Sequence, residues 1–260
     1  MSQQLIIMTG NIGSGKSLIA RKYAQRGFVI ISMDSIQQLM HGGIYGLYDR
    51  SLKLVYHRVE EEMVLESLRA GKSVLVDRTL MYPDARNRFI RMASFLSKGS
   101  PPITIMSLNF GQGSFENLEN RMKEPRGLSF KKWQDIFHVM FELYQRPSLE
   151  EGFDIIQTAP NRFTCYAYDF DGTITMEADG LRIGNPRMAT IEQMQRQFRD
   201  DSNIIIIWTC REHHAAMKAW LKNNNVPYDF INENPLYKSG RKIFAHKYYD
   251  DRATALPEGN

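Results

Sequence analysis

Eight consecutive residues, Gly10-Asn11-Ile12-Gly13-Ser14-Gly15-Lys16-Ser17, restrict the fold of this 260-residue chain more than any other stretch. They match G-x-x-x-x-G-K-[ST] in full, after the apolar run Leu5–Met8 and before a helical pattern over Ser17–Gln25. Such a loop works only between a strand and a helix. Its glycines let successive backbone N–H groups curl around an anion, and the helix start adds the positive end of its dipole. Lys16 brings a point charge to nucleotide phosphates, and the Ser17 hydroxyl reaches a divalent cation. A strand–loop–helix opening of this kind implies an open parallel α/β sheet.

The chain continues in that style. Apolar runs at Phe28–Met33, Val74–Asp77 and Ile103–Leu108 read as strands, and Leu52–Arg69, Ala85–Leu96 and Phe130–Tyr144 carry helical apolar spacing. A late strand, Asp154–Gln157, runs into Thr158-Ala159-Pro160-Asn161, a turn-rich break. The pattern then restarts with strands at Phe163–Asp169, Ile204–Trp208 and Ile243–Tyr249 and helices at Pro186–Phe198 and Ala215–Asn223. The expected class is α/β with two parallel-sheet domains, residues 1–160 and 161–260.

Composition removes several classes. Apolar residues make up 43% and charged residues 24%, the balance of a soluble globular protein. No apolar run approaches the roughly 18 residues of a membrane span, and Met1–Thr9 is too short for a signal segment. Cys165 and Cys210 offer neither a disulfide framework nor a metal spacing, so two buried thiols in a cytoplasmic protein are expected. The net charge of +4 comes wholly from residues 1–160, with 20 Lys+Arg against 16 Asp+Glu. That favours a polyanionic partner only weakly.

Four further residues of the first domain are candidates for chemistry. Asp34 ends the second strand, where a carboxylate can accept the proton of an attacking hydroxyl; capping the helix that begins at Ser35 is the plainer alternative. Asp77 ends the third strand and can stand beside a magnesium ion or merely orient the loop with Thr79. Arg121 and Arg126 lie on a charged, proline-broken segment before a helix, suited to a lid that stabilises a transferring phosphoryl group. Walker A, Asp34, the segment Val76-Asp77-Arg78-Thr79 followed by Pro83, and Arg126 together resemble the kinase domain of bacteriophage-type polynucleotide kinase. The resemblance implies that Asp34 is the general base for a 5′-hydroxyl and that Arg126 contacts the phosphates. An Asn commonly follows Asp-x-Thr in that family; Leu80 stands here.

A second motif of opposite chemistry, Asp169-Phe170-Asp171-Gly172-Thr173, ends the first strand of the second domain. One carboxylate can attack phosphorus while the other moves protons, with a divalent cation to hold the charge. An Asx-rich turn is the bland alternative. Thr209 follows a buried strand, Arg211 lies two residues on, Lys242 precedes the last strand and Asp250-Asp251 end it. This series resembles the haloacid-dehalogenase phosphatase superfamily. By that resemblance the domain has a Rossmann-like fold, and the short stretches Ile174–Asn185 and 212–241 leave room only for a minimal cap. Asp169 is the nucleophile and Asp171 the acid/base, Thr209 and Lys242 bind phosphate, and Asp250 and Asp251 complete the metal side. Lys238 and Lys247 compete for the lysine role, and Arg211 fits a further phosphate contact. His213 and His214, adjacent on a helix start, read as exposed side chains rather than metal ligands.

The order of the two motifs is similar to that of bifunctional polynucleotide 5′-kinase/3′-phosphatases. This implies ATP and Mg2+ as cofactors and RNA or DNA ends as substrates, with a polynucleotide ligase acting next. Gly10 to Ser17, Arg121 and Arg126 would hold the nucleotide; Ser17, Asp77, Asp169, Asp171, Asp250 and Asp251 would face metal. The alternative is a nucleoside or nucleotide kinase fused to a nucleotidase. Arg86, Arg88, Arg91, Lys131 and Lys132 could line a strand-binding groove or simply be solvated helix faces.

Overall fold

The computed structural model describes residues 2–252 except 45–46, 99–100, 124, 161, 177–181, 235 and 238–242. The chain divides into two compact units between Ala159 and Pro160.

In the first unit, β1 (Gln4–Thr9) is fully buried from Leu5 onward, so both of its faces are apolar and its sequence is a continuous hydrophobic run. It lies at the centre of a five-stranded parallel sheet, flanked by β3 (Val74–Asp77) and β4 (Thr104–Asn109), with β2 (Val29–Ser32) and β5 (Ile155–Thr158) at the edges. The crossovers are α1 (Lys16–Gln25), α2 (Met33–Met40), α3 (Lys53–Arg69), α4 (Pro83–Leu96), α5 (Phe115–Met122) and α6 (Phe130–Leu143). Helix α3 buries Tyr56, Glu60, Val64 and Leu68, a stripe spaced by four residues. With Phe89, Ile90 and Ala93 of α4 it covers Leu5, Ile7, Val74 and Val76 of the sheet. Each such aliphatic side chain contributes about 1.5–3 kcal/mol when fully buried.

Three expectations change here. The run read as a strand to Met33 stops at Ser32, because Met33 and Ile36 are the buried face of α2. Helix α5 forms where a broken segment was expected, opened by a capping box between Ser114 and Asn117. Arg86 lines no groove. It is fully buried and holds Glu151 through two bonds of 2.7 Å, while its Nη1 donates to the carbonyls of Leu80 and Gln145. It clamps the start of α4 to the turn Leu149–Glu151. Arg88 is likewise engaged, by Glu60 at 2.7 Å and Glu61 at 3.1 Å.

The second unit holds a four-stranded parallel sheet in the order β8-β7-β6-β9, from β6 (Thr164–Asp169), β7 (Asn203–Trp208), β8 (Phe230–Ile231) and β9 (Lys247–Tyr249). Helices α7 (Met188–Phe198) and α8 (His214–Asn223) bury Ile191, Met194, Met217 and Leu221 against Tyr168, Ile205 and Ile207. The last strand is shorter than its apolar pattern suggests. Ile243–His246 stay outside it, with Ala245 N donating to Tyr248 Oη at 3.0 Å. Helix α7 starts two residues late because Pro186 bridges Thr175 and Arg187 N donates to Ile174 O at 2.9 Å. Cys165 is buried but Cys210 is exposed, correcting the expectation of two buried thiols. Among the described residues, no helix is long and apolar enough to cross a membrane.

Candidate functional sites

The glycine-rich loop joins β1 to α1 at the carboxyl edge of the first sheet. Gly13 has φ +67°, and a Cβ there would stand 1.9 Å from Asn117 O, so the loop lies directly on α5. Asn11 is buried and fixes the loop's shape: Oδ1 accepts from Ile12 N, while Nδ2 donates to the carbonyls of Gln112 and Phe137 at 3.0 and 3.1 Å. Gly10 N donates to Thr79 O at 2.9 Å, tying the loop to the segment after β3. Lys16 Nζ donates to the carbonyls of Gly10 and Asn11 and to Ser14 Oγ. Burial brings the Lys16 ammonium down to about 8; the Asp77 carboxylate opposes that, Arg121 adds to it, and Asp34 opposes it.

Asp77 ends β3 as expected, and burial pushes its carboxyl up against the pull of Lys16 and a hydrogen bond with the Ser17 hydroxyl. The paired oxygens of Ser17 and Asp77 fit a hard divalent cation with few protein ligands. Asp34 is neither a strand end nor a cap. It lies in the first turn of α2, with Ser32 at the cap position, where the helix dipole favours an anion. Its Oδ2 accepts from Arg126 Nη1 at 2.6 Å. Arg126 adopts φ +51° in the turn between α5 and α6, beside Gly127 at φ +77°. Trp133 braces that turn by donating Nε1 to Pro125 O at 2.7 Å. Arg121 belongs to the last turn of α5 rather than to a loop, its guanidinium 4.4 Å from the Trp133 ring centre. Sequence reading missed Trp133; an aromatic just after a proline-broken turn was the available signal. Leu80 takes φ +38°, a conformation Asn tolerates better, and is held there by burial in the apolar core.

The second site gathers at the carboxyl edge of the other sheet. Asp169, Asp250 and Asp251 each offer a carboxylate oxygen, and these lie within 4.8 Å of one another. Burial raises the Asp169 carboxyl to about 6, with Asp250, Asp171 and Asp251 adding like charge and the Phe170 backbone opposing. Three converging hard oxygens fit a divalent cation. Asp171, expected among the metal residues, is outside this group. Its two oxygens receive Arg211 Nε at 2.8 Å and Nη2 at 2.7 Å, a bidentate fork. Arg211, expected to contact substrate phosphate, is thus engaged by Asp171 and by Arg182 O at 2.9 Å.

Gly172 has φ +84°, and a Cβ there would meet Asp251 Oδ2 at 2.3 Å. Thr173 Oγ1 accepts from Asp251 N at 2.9 Å, and Arg187 Nη2 donates to Gly172 O at 2.8 Å. Thr209 is buried, and its hydroxyl accepts from Arg211 N at 3.1 Å. Asn232 was missed by sequence reading, since nothing local distinguishes it. Its side chain accepts from Thr209 N at 2.8 Å and donates to Thr209 O at 2.7 Å, latching the end of β7. Lys242 and Lys238 lie outside the described residues. Lys247 is exposed on β9, with Nζ 5.8 Å from the Tyr166 ring centre.

A family model described as an AAA domain matches residues 5–103. No curated protein sequence matches the chain. Among solved structures, the Pnkp1/Rnl/Hen1 RNA repair complex is similar at 16% identity and TM-score 0.43, over 88% of this chain and 78% of that one. A fungal RNA kinase is similar at 13% identity and TM-score 0.45, over 62% and 77%. The APS kinase of Mycobacterium tuberculosis is similar at 17% identity and TM-score 0.42, over 60% and 88%. The β2-β3-β1-β4-β5 order, the loop after β1 and the matched segment make the first unit a P-loop fold of the kinase-like type, which implies ATP and a divalent cation.

Proposed function

We propose that this chain heals polynucleotide ends, phosphorylating a 5′-hydroxyl in its first unit and removing a 3′-phosphate in its second. The observation that carries the reading is the gathering of Lys16, Asp34, Asp77 and Arg126, drawn from four separate segments of the chain, around one glycine-rich loop.

In the first unit the loop N–H groups and Lys16 hold the phosphates of ATP. Asp34 takes the proton of the acceptor hydroxyl as that oxygen attacks the γ-phosphorus and the bond to the β-phosphate oxygen breaks, releasing ADP. Arg126 balances charge on the transferring group, which requires it to turn from Asp34 toward phosphate. Ser17 and Asp77 would hold Mg2+, which neutralises phosphate charge when bound. These roles rest on the motif order and on the ion pair between Asp34 and Arg126.

In the second unit an Asp169 oxygen attacks the phosphorus of the 3′-phosphate, and the bond to O3′ breaks. Asp171 gives O3′ its proton, then takes one from the water that hydrolyses the aspartyl-phosphate. Thr209 and Arg211 bind phosphate oxygens; a phosphate dianion competes with Asp171 for the Arg211 fork and frees that carboxyl. Asp169, Asp250 and Asp251 would hold Mg2+, which offsets their mutual repulsion when bound. The convergence of those three carboxylates supports the reading.

The test is a labelled-phosphate assay. Label from ATP should enter 5′-hydroxyl oligonucleotides, and 3′-phosphate should be released by the wild type but not by Asp169→Asn. Label entering free nucleosides or nucleoside monophosphates but no oligonucleotide would favour a small-molecule kinase instead.

A further inference from the structure

Tyr237, Phe244 and His246 form an exposed ring cluster in the second unit. Tyr237 and Phe244 centroids are 4.6 Å apart, and His246 stands edge-on to both at 5.9 and 5.0 Å. Tyr237 and Phe244 keep 42% and 40% of their surface exposed, so mutual packing leaves part of each residue open to solvent. Their backbone is nevertheless well anchored. Asn234 Nδ2 donates to Phe244 O at 2.7 Å, and Asn234 Oδ1 accepts from Leu236 N at 3.0 Å. His246 N donates to Cys165 O at 2.8 Å, and its Nδ1 accepts from Cys165 N at 2.9 Å.

Two further facts bear on what these rings meet. Residues 235–249 contain Lys238, Arg241, Lys242 and Lys247 and no Asp or Glu, so the segment carrying the rings is uniformly basic in sequence. The same segment begins beside the catalytic edge. Asn234, which holds Phe244, follows by two residues, at most about 7 Å, the Asn232 that latches Thr209.

We infer that this cluster is a stacking platform for unpaired bases just upstream of the 3′ end that enters the second site. Aromatic rings on a segment that is basic in sequence suit a single-stranded polynucleotide, because bases stack on rings and cations attract phosphates. Stacking is tolerant of base identity, because every base has a π-face. Backbone bonds at Leu236, Phe244 and His246 already hold the chain beside the rings, which lowers the ordering cost of binding there. This inference rests on the proposed 3′-phosphatase reading and names how that site grips a polymer.

The experiment compares the full wild-type chain with the double variant Tyr237→Ala/Phe244→Ala on two substrates. For a 3′-phosphorylated single-stranded oligonucleotide, KM should rise by about tenfold or more with kcat retained. For p-nitrophenyl phosphate both parameters should be unchanged, which also reports a correctly folded site. Tyr237→Trp should keep the wild-type KM. An unchanged oligonucleotide KM in the double variant overturns the platform. A second measurement stands apart from catalysis: an unphosphorylated oligonucleotide with 5-iodouracil near its 3′ end is photo-crosslinked to the wild type and mapped by mass spectrometry. Crosslinks at Tyr237 or Phe244 support the platform even if no phosphate is released, in which case the phosphatase reading alone fails; crosslinks only elsewhere sink the platform.

Discussion

Arg126 and Asp34 form an ion pair, Nη1 to Oδ2 2.6 Å, across 92 residues of sequence. Both side chains are partly exposed, so the pair itself is worth no more than about 1 kcal/mol of stability. Its importance is chemical. Asp34→Asn should lower oligonucleotide phosphorylation by roughly 10²–10⁴-fold, and Arg126→Ala by roughly 10²–10³-fold. Melting temperatures should stay close to wild type in both. Turnover retained alongside a lowered melting temperature would mean that the pair serves only structure.

Gly172→Ala should abolish release of 3′-phosphate. A Cβ at that position would meet Asp251 Oδ2 at 2.3 Å, so the Asp251 carboxylate must swing away from Asp169 and Asp250, and the backbone at φ +84° strains any residue but glycine. Kinase turnover should persist, because the glycine-rich loop lies on the other sheet. Phosphatase kinetics equal to wild type would contradict the geometry.

Asn232→Ala removes both hydrogen bonds to the Thr209 backbone and leaves alanine at φ +54°. We expect a fall in p-nitrophenyl phosphate kcat of about tenfold or more, since loss of catalytic positioning costs that order. Asn232→Asp can still accept from Thr209 N but cannot donate to Thr209 O, so its activity should fall between the two. Stopped assays on the three proteins at matched magnesium decide it.

Glu151→Ala should destabilise the first unit by about 3–5 kcal/mol, because it strands the Arg86 charge in the interior. Replacing both partners, Arg86→Met with Glu151→Leu, should recover much of the loss. Urea denaturation gives both numbers. A single variant as stable as wild type would show that Arg86 reaches water.

Chelation with EDTA should stop both activities, and magnesium should restore them. Asp250→Asn should raise the magnesium concentration needed for half-maximal phosphatase activity while leaving that of the kinase unchanged, since Asp250 converges with Asp169 and Asp251 in the second unit. A magnesium requirement unaltered in this variant would remove Asp250 from the cation site.

Much of the fold was legible in the residues. The runs Leu5–Met8 and Ile204–Ile207 are buried on both faces, as in a covered parallel sheet, so uninterrupted apolarity marks them as strands. Less legible were short elements whose pattern is ambiguous. Met33 extends an apolar run yet opens α2, and Ile243–His246 continue one yet stay outside β9, because a few apolar residues suit either period. Apart from the two contiguous motifs, Gly10–Ser17 and Asp169–Thr173, the candidate sites were legible only as residue types near expected strand ends.

Read alone, the sequence determined two strand–helix alternations and set one phosphate-handling motif at the end of the first strand in each. Periodicity and glycine placement are local properties, written within a dozen residues. Tertiary structure decided the pairings: Arg126 on Asp34, Arg211 on Asp171 rather than on open solvent, Asn232 on Thr209, and Arg86 turned inward to Glu151. Such partners lie 23 to 92 residues apart and are chosen by strand order and helix packing, which no local pattern encodes.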